Sequence, residues 1–120
     1  MYLAEHPAVA LLEVLANLKG SPALFPDTGQ LMKIEAAGSV SMDVLAPNLL
    51  SRQWRENIFE TRSIGDIWLN DRRSALLAVP SAPSPESLNY LFNPHHNDAS
   101  GVMRVWSQSL KYDKRLFHMR

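Results

Sequence analysis

The sequence has 120 residues, of which 46% are hydrophobic and 20% charged, a length and composition that predict one soluble globular domain with its own core. Twelve basic residues balance twelve acidic ones, so no net field would gather nucleic acid or an anionic membrane, and we expect binding to neither. The absence of cysteine excludes disulfides and thiol catalysis, and with the lack of a signal sequence it predicts a cytoplasmic protein.

A short strand and a helix are predicted at the start of the chain. Tyr2-Leu3-Ala4 has the pattern of the tail of a strand, and we expect that strand to begin before Met1. Pro7 suits the first turn of a helix, which continues in good helix-forming residues from Ala8 to a stop at Gly20. Because this helix is apolar on almost every side, we expect most of its faces to be buried.

Glu13 is the one carboxylate of that helix. Its neighbours at helical spacing are mostly small, which leaves room for another group to approach the carboxylate; they are Val9, Ala10, Ala16 and Asn17. Two interpretations remain open. Glu13 lies at an exposed edge, as most lone charges in apolar helices do, or it lies partly buried in a cleft, as catalytic and ligand-binding carboxylates do.

The next stretch predicts strands. Leu31–Ala36 alternates between apolar and polar residues after the turn-rich segment from Gly20 to Gly29, and this predicts a strand. The segment from Ala37 to Pro47 fits either a hairpin or a loop that holds a short strand over Val40–Leu45.

Helices and arginines are predicted in the middle third. Asn48–Asn57 has the composition of a short helix that carries Trp54, and Ser63 suits the N-cap of a second helix through Trp68. Five of the eight arginines lie here: Arg52, Arg55, Arg62, Arg72 and Arg73. Such a group forms either a solvated face or a surface for a phosphate or an acidic partner.

The strongest strand prediction lies near the middle of the chain. Ala75–Val79 is a run of five apolar residues that could fill a buried strand, and Pro80 ends it. Ser81 follows at the end of the strand, where a rigid scaffold presents a side chain to a cleft. Three further strands are predicted, with a turn at Asn93-Pro94: Leu88–Phe92, Val102–Trp106 and Lys111–Phe117. Helices towards the front and strands towards the back predict an α+β fold.

Motif spacing alone assigns no chemistry. His95-His96 does not make a metal site, because adjacent histidines on an extended segment point to opposite sides and no third ligand has suitable spacing. Ser81 lacks the glycines of a hydrolase nucleophile elbow, and no glycine-rich loop is present to bind phosphate.

Five stretches, taken together and in order, resemble the RES domain family across nearly the whole chain. They are Tyr2 to Leu15, Gly65-Asp66-Ile67-Trp68-Leu69, Leu77 to Ala82, Glu86 to Asp98, and Tyr112 to Leu116. The resemblance implies a RES domain over residues 1–120 and a single compact domain with a fold similar to ADP-ribosyltransferases. It also implies the toxin of a bacterial toxin–antitoxin pair that destroys NAD by hydrolysis or phosphorolysis, with an Xre-type antitoxin as partner, NAD as substrate and no cofactor.

The resemblance also implies site residues. The family's glutamate and serine correspond to Glu13 and Ser81, its active-site tyrosine corresponds to Tyr2, and Asn89 is a weaker candidate for the wall of the cleft. Glu13 would stabilise the positive charge that develops on the ribose, Ser81 would hold the substrate by hydrogen bonding, and Tyr2 would stack on or orient the nicotinamide.

One feature of the family is missing. The family's arginine lies upstream of the tyrosine, whereas no arginine precedes Glu13 in this sequence. We therefore expect a RES domain that lacks its N-terminal strands and its arginine segment. Two functions remain open on this basis: an NAD-degrading toxin, or a catalytically inactive domain that only binds its antitoxin.

Overall fold

The computed structural model describes residues 1–17 and 27–117, which form an α+β fold as predicted. The strands are β1 (Tyr2–Ala4), β2 (Thr28–Ala36), β3 (Met42–Val44), β4 (Leu76–Pro80), β5 (Leu88–Phe92) and β6 (Val102–Lys111). The α-helices are α1 (Pro7–Ala16) and α2 (Ile58–Asp71), and short 3₁₀ helices span Pro47–Leu49, Ala99–Gly101 and Lys114–Phe117. None of the helices in the described ranges is long and apolar enough to cross a membrane.

A four-stranded sheet in the order β1-β5-β4-β3 forms the centre of the molecule. β5 pairs antiparallel with both β1 and β4, while β3 and β4 run parallel. β4 has a neighbour on each side, and Leu76, Leu77 and Ala78 are buried there together with Ala75 just before it. An unbroken apolar run suits such a strand because both of its faces are covered. The predicted central strand and its end at Pro80 are confirmed.

The register of this sheet places two rows of side chains on one face. In the first row, Tyr2 lies opposite Leu91, and Leu91 lies opposite Leu77. In the second row, two residues away on β5, Asn89 lies opposite Val79. Side chains two residues apart on a strand point to the same face, so both rows share it. Helix α2 packs on this face, where Gly65 faces Leu91.

The buried end of α2 is tied to the start of β4. Trp68 is buried, and its indole N–H donates to Ser74 Oγ at 2.8 Å. Ser74 Oγ donates in turn to the carbonyl oxygen of Leu76 at 2.9 Å. This pair of hydrogen bonds satisfies the polar atoms that Trp68 and Ser74 carry into the core.

The beginning of α2 differs from the prediction. The helix begins at Ile58, and its N-cap is Asn57, whose side chain accepts from the backbone N–H of Glu60 at 3.2 Å. Ser63 therefore lies inside the helix, and its prediction as the N-cap was wrong. Asn57 and Glu60 are three residues apart, which is the spacing of a capping box. The helix therefore begins at this earlier site and not at Ser63.

The segment before α2 is not an α-helix. It contains the 3₁₀ helix at Pro47–Leu49 and then turns in which each backbone bond spans three residues, as in Trp54 N to Ser51 O. The prediction of a short helix over Asn48–Asn57 was wrong. Of the two alternatives for the segment before Pro47, the structure has a short strand, β3, which pairs with β4 and forms no hairpin.

A separate ribbon is formed by β2 and β6, which pair antiparallel with an irregularity between Lys33 and Ile34. The predicted strand over Leu31–Ala36 is confirmed, and β6 runs five residues past the predicted end at Trp106. The predicted last strand over Lys111–Phe117 was wrong. Lys111 ends β6, and Asp113 Oδ1 accepts from the backbone N–H of Arg115 at the start of the 3₁₀ helix.

Helix α1 is more exposed than its composition predicted. Val9 is buried, whereas Leu12 and Val14 are 42% and 39% exposed. The expectation that most faces are buried was wrong for the described residues, because the helix packs against the sheet along one side only. His6 caps its start by accepting from the Ala8 N–H, and the predicted stop at Gly20 lies outside the described residues.

Candidate active site

Four polar side chains from four separate segments meet on the face of the sheet that α2 covers. They are Tyr2 from β1, Glu13 from α1, Ser81 from the turn after β4, and Asn89 from β5. The pairs in contact are up to 87 residues apart in sequence. The strand register brings Tyr2 and Asn89 onto one face, and α1 brings Glu13 over them. All four residues that the sequence singled out therefore lie together.

Asn89 is the centre of this cluster. Its side-chain nitrogen donates to the hydroxyl oxygen of Tyr2 and to Oε1 of Glu13, at 2.7 Å in each case. Ser81 Oγ donates to the same Glu13 oxygen at 2.9 Å. One carboxylate oxygen thus accepts two hydrogen bonds. No described residue donates to the other oxygen, Oε2.

The burial of the cluster is graded. Ser81 and Asn89 are 0% exposed, Glu13 is half-buried, and Tyr2 is 51% exposed. The buried side chains form a fixed floor, and Tyr2 and the carboxylate face the open side. This geometry matches the second interpretation of Glu13, a carboxylate that lies partly buried in a cleft.

The hydrogen bonds also fix which groups donate. A carboxylate can only accept, so the Asn89 nitrogen, which has two protons, must face Glu13 and gives its second proton to Tyr2. The Tyr2 hydroxyl therefore accepts from Asn89 and keeps its own proton for another acceptor. Burial and the neighbouring charge of Glu13 raise the pKa of Tyr2, against the opposing hydrogen bond from Asn89, so this proton is retained at neutral pH.

One atom of the cluster has no partner. Asn89 Oδ1 is buried and accepts no hydrogen bond from the residues that the structure describes. This oxygen is therefore an acceptor that the described residues leave unused.

A tight turn holds Ser81 in place. The Ser81 N–H donates to the carbonyl oxygen of Ser87 at 2.9 Å, and the Ser87 N–H donates to that of Ser84 at 2.8 Å. The Ser84 N–H lies 3.3 Å from Ser81 Oγ, to which it donates. The hydroxyl of Ser81 is therefore bonded on both sides, as acceptor from Ser84 and as donor to Glu13.

A cavity of about 520 Å³ adjoins the cluster, between α2 and the sheet. Tyr2 belongs to its wall, together with the sheet residues Leu77, Val79 and Leu91. Pockets for small molecules span about 300–1,000 Å³ and are mostly apolar with a few polar groups. The cavity has this size and composition. Tyr2 belongs both to the cavity wall and to the cluster, so it connects the two.

The paired histidines serve the turn after β5. His95 N–H donates to Asn93 Oδ1 at 3.0 Å, and His96 Nδ1 accepts from the Asp98 N–H at 3.0 Å. No group of three or more potential metal ligands occurs in residues 1–17 and 27–117. Sequence reasoning missed Ser84, which holds Ser81, because a serine in a proline-rich loop has no distinctive pattern.

A scan against family models matches residues 1–115 to the RES domain. The chain is 38% identical over 117 residues to "Toxin Res" of Pseudomonas putida, and the aligned region covers 98% of this chain and 79% of that protein. It is 34% identical over 120 residues to "Prs ADP-ribosylating toxin" of Sphingobium sp., covering 97% of this chain and 73% of the relative. "Toxin Res" of Yersinia enterocolitica is 33% identical over 119 residues, with 97% and 76% covered.

Proposed function

The chain belongs to the RES domain family, and we propose that it is the toxin of a bacterial toxin–antitoxin pair and cleaves the bond between nicotinamide and ribose in NAD. The observation that carries this proposal is the Glu13 carboxylate. Two donors hold one of its oxygens, and no described residue donates to the other. A carboxylate fixed in this way is ready to act on a substrate without first having to reorganise.

Cleavage of this bond develops positive charge on the ribose, as glycoside cleavage does. A carboxylate in a partly desolvated cleft stabilises that charge most strongly in the transition state, where the charge is largest. We assign this role to Glu13, with Oε2 facing the ribose and its hydroxyls. Nicotinamide leaves with the electron pair of the broken bond, and an acceptor takes its place on the ribose.

Ser81 and Asn89 position Glu13 in this proposal. The Ser81 hydroxyl donates its proton to Glu13 and accepts from Ser84, so it holds the carboxylate from the buried side. We assign it no nucleophilic role. Asn89 lies beneath both Glu13 and Tyr2 and keeps the two at a constant separation.

Tyr2 would contact the nicotinamide. Its ring is half-exposed at the open side of the cluster, where an aromatic ring can stack on another. Its hydroxyl proton is not used by Asn89 and can be donated to the carboxamide oxygen of the nicotinamide. The two contacts would orient the leaving group.

Three acceptors for the ADP-ribose are possible: water, inorganic phosphate and a protein side chain. The Sphingobium relative is named an ADP-ribosylating toxin, which favours transfer to a protein as the second candidate reaction. The alternative from another functional class is a catalytically inactive domain that binds an Xre-type antitoxin. The four residues of the cluster are all present and in contact, and this favours catalysis.

The test is nicotinamide release from NAD by the purified chain, beside the Glu13→Gln variant, with and without phosphate. Glutamine keeps the oxygen that accepts from Ser81 and Asn89 and removes only the charge. Release that disappears in the variant supports the enzyme, and the product (ADP-ribose, its phosphate ester or a labelled protein) names the acceptor. No release at high enzyme concentration, from a chain that melts cooperatively, would leave the antitoxin-binding domain as the function.

A further inference from the structure

The cavity beside the cluster has polar groups that the proposed cleavage does not use. Arg62 and Asp66 lie one helical turn apart on α2 and both line the cavity, as do Trp54 and Trp68. These groups share the cavity wall with Tyr2, so a molecule in the cavity can reach the candidate active site.

Arg62 is a cation available for a ligand. It is exposed, and no carboxylate of the described residues lies within 4.0 Å of it. The carboxylate of Asp66, one turn further along α2, also forms no ion pair with the Arg62 guanidinium within 4.0 Å. In a largely apolar wall, a guanidinium that has no ion pair with the described residues favours an anionic ligand.

A second arginine does not line the cavity itself but is bonded to a residue of its wall. Arg55 Nε donates to the carbonyl oxygen of Ala82 at 2.7 Å, and Ala82 lines the cavity directly after Ser81. This bond uses one of the five N–H groups of the guanidinium and leaves the terminal nitrogens without a partner among the described residues. Arg55 therefore adds a cation held against Ala82, the residue that follows Ser81.

We propose that this cavity binds the ADP portion of the substrate, with Arg62 and Arg55 on the diphosphate. Planar guanidinium groups bind phosphate oxygens through two parallel hydrogen bonds, and two of them outweigh the one carboxylate of the wall. This inference rests on the proposed cleavage of NAD, because the nicotinamide end at Glu13 and Tyr2 directs the rest of that molecule along the cavity.

The remaining groups fit the other parts of an adenosine diphosphate. Asp66 is an acceptor for ribose hydroxyls, a role that acidic residues have in dinucleotide sites. Trp54 is half-buried and offers an aromatic surface for the adenine ring. Trp68 is buried with its indole N–H bonded to Ser74, so it forms part of the wall.

The experiment is a calorimetric titration of the 120-residue chain with ADP, and with adenosine as the matched probe that lacks phosphate. We expect ADP to bind at least tenfold more tightly than adenosine. Arg62→Met and Arg55→Met should each weaken ADP binding about tenfold or more, since each loses a charge-assisted contact. Arg52→Met is the control: it removes an exposed arginine that neither lines the cavity nor bonds to a described residue of its wall, and it should change ADP binding less than twofold.

Two results would overturn the inference: equal affinity for ADP and adenosine, or unchanged ADP binding in Arg62→Met. The readout is independent of catalysis, because ADP lacks the bond between nicotinamide and ribose. If the chain binds ADP through Arg62 and releases no nicotinamide from NAD, the cleavage proposal fails and the binding site stands. If NAD is cleaved and the KM for NAD is unchanged in Arg62→Met, the binding site fails and the cleavage stands.

Discussion

The side-chain nitrogen of Asn89 lies 2.7 Å from Oε1 of Glu13, although the two residues are 76 positions apart in the chain. The same nitrogen lies 2.7 Å from the hydroxyl of Tyr2. One buried amide therefore sets the distance between the carboxylate and the phenol, and it also determines that Tyr2 accepts from Asn89. This relationship makes Asn89 a positioning residue whose role depends on a neutral amide that donates two hydrogen bonds.

Replacing Asn89 by aspartate should impair catalysis by placing a second carboxylate against Glu13. Asn89→Asp exchanges a donor for a second carboxylate, and two carboxylates in contact disfavour ionisation of both. We expect NAD cleavage at pH 7 to fall at least tenfold and the acid limb of the pH–rate profile to move to higher pH. The control is Asn93→Asp, because Asn93 is equally buried but its oxygen accepts from the His95 N–H, a bond that aspartate keeps. An acid limb that stays in place in Asn89→Asp would contradict this role.

The charge of Glu13 should account for most of the catalysis. Glu13→Gln keeps the hydrogen bonds to Ser81 and Asn89, so we expect thermal stability close to that of the unmodified chain and kcat at least about 100-fold lower. Glu5→Gln is the matched control: Glu5 accepts from the backbone N–H of Leu88 at 2.9 Å, outside the cluster, and glutamine preserves that bond. Loss of activity of similar size in both variants would point to a general electrostatic effect and against a specific role.

Ser81→Ala should weaken catalysis less than Glu13→Gln does. The variant removes one of two hydrogen bonds to the same carboxylate oxygen, and at about 1.5 kcal/mol, the lower end for a bond to a charged group, this corresponds to a fall in kcat of about tenfold. Residual NAD cleavage distinguishes positioning from nucleophilic catalysis, since a nucleophile cannot be removed without abolishing its pathway. Complete loss of activity, together with a covalent serine adduct in the unmodified chain, would show that Ser81 is the nucleophile.

Much of the central sheet could be predicted because local pattern and burial agree there. Leu88–Phe92 and the run ending at Pro80 are apolar stretches bounded by turn residues, and the structure has strands at both. β6 was underestimated because Ser107 to Lys111 is mostly polar and exposed, and its strand conformation depends on pairing with β2. The start of α2 was misplaced because two capping patterns compete within one stretch, and sequence alone does not rank them.

The candidate site residues came from the resemblance to the RES domain together with local pattern, whereas their arrangement could not be predicted from the sequence. Ser81 was found from its place at the end of a strand, and Glu13 from its isolation in an apolar helix. The central position of Asn89 depends on the register of β5 against β1, which is a tertiary relationship with no local pattern. The exposure of α1 was missed for the same reason, since composition predicts which faces could be buried and not which are covered.

Asp98 should make stability sensitive to acid. Its Oδ2 accepts from the Ser41 N–H at 3.0 Å, and Ser41 Oγ accepts from the N–H of Ala75 at the start of the buried strand. The hydrogen bonds with Ser41, and to a smaller extent the charge of His96, hold the pKa of Asp98 below its ordinary value of 3.8. A lowered folded-state pKa gives stability that is present above the unfolded pKa and is lost as the pH falls through the folded one. Asp98→Asn should therefore flatten the decline in melting temperature below about pH 4, while an unchanged decline would assign it to other carboxylates.

Tyr2 should make stability sensitive to alkali. Burial first, and then the charge of Glu13, raise the pKa of Tyr2 above its ordinary value of 10.0. The folded state therefore holds the phenolic proton more tightly than the unfolded state does, and the free energy of unfolding falls as the pH rises from about 10 through the folded pKa. Thermal melts between pH 8 and 11 should show this fall in the unmodified chain and a flatter profile in Tyr2→Phe, which has no proton to lose.

Phenylalanine also leaves the second Asn89 proton without an acceptor, so the variant should be less stable than the unmodified chain at pH 8 by about 1 kcal/mol. Parallel profiles for the two proteins above pH 10 would show that the Tyr2 phenol is not the titrating group.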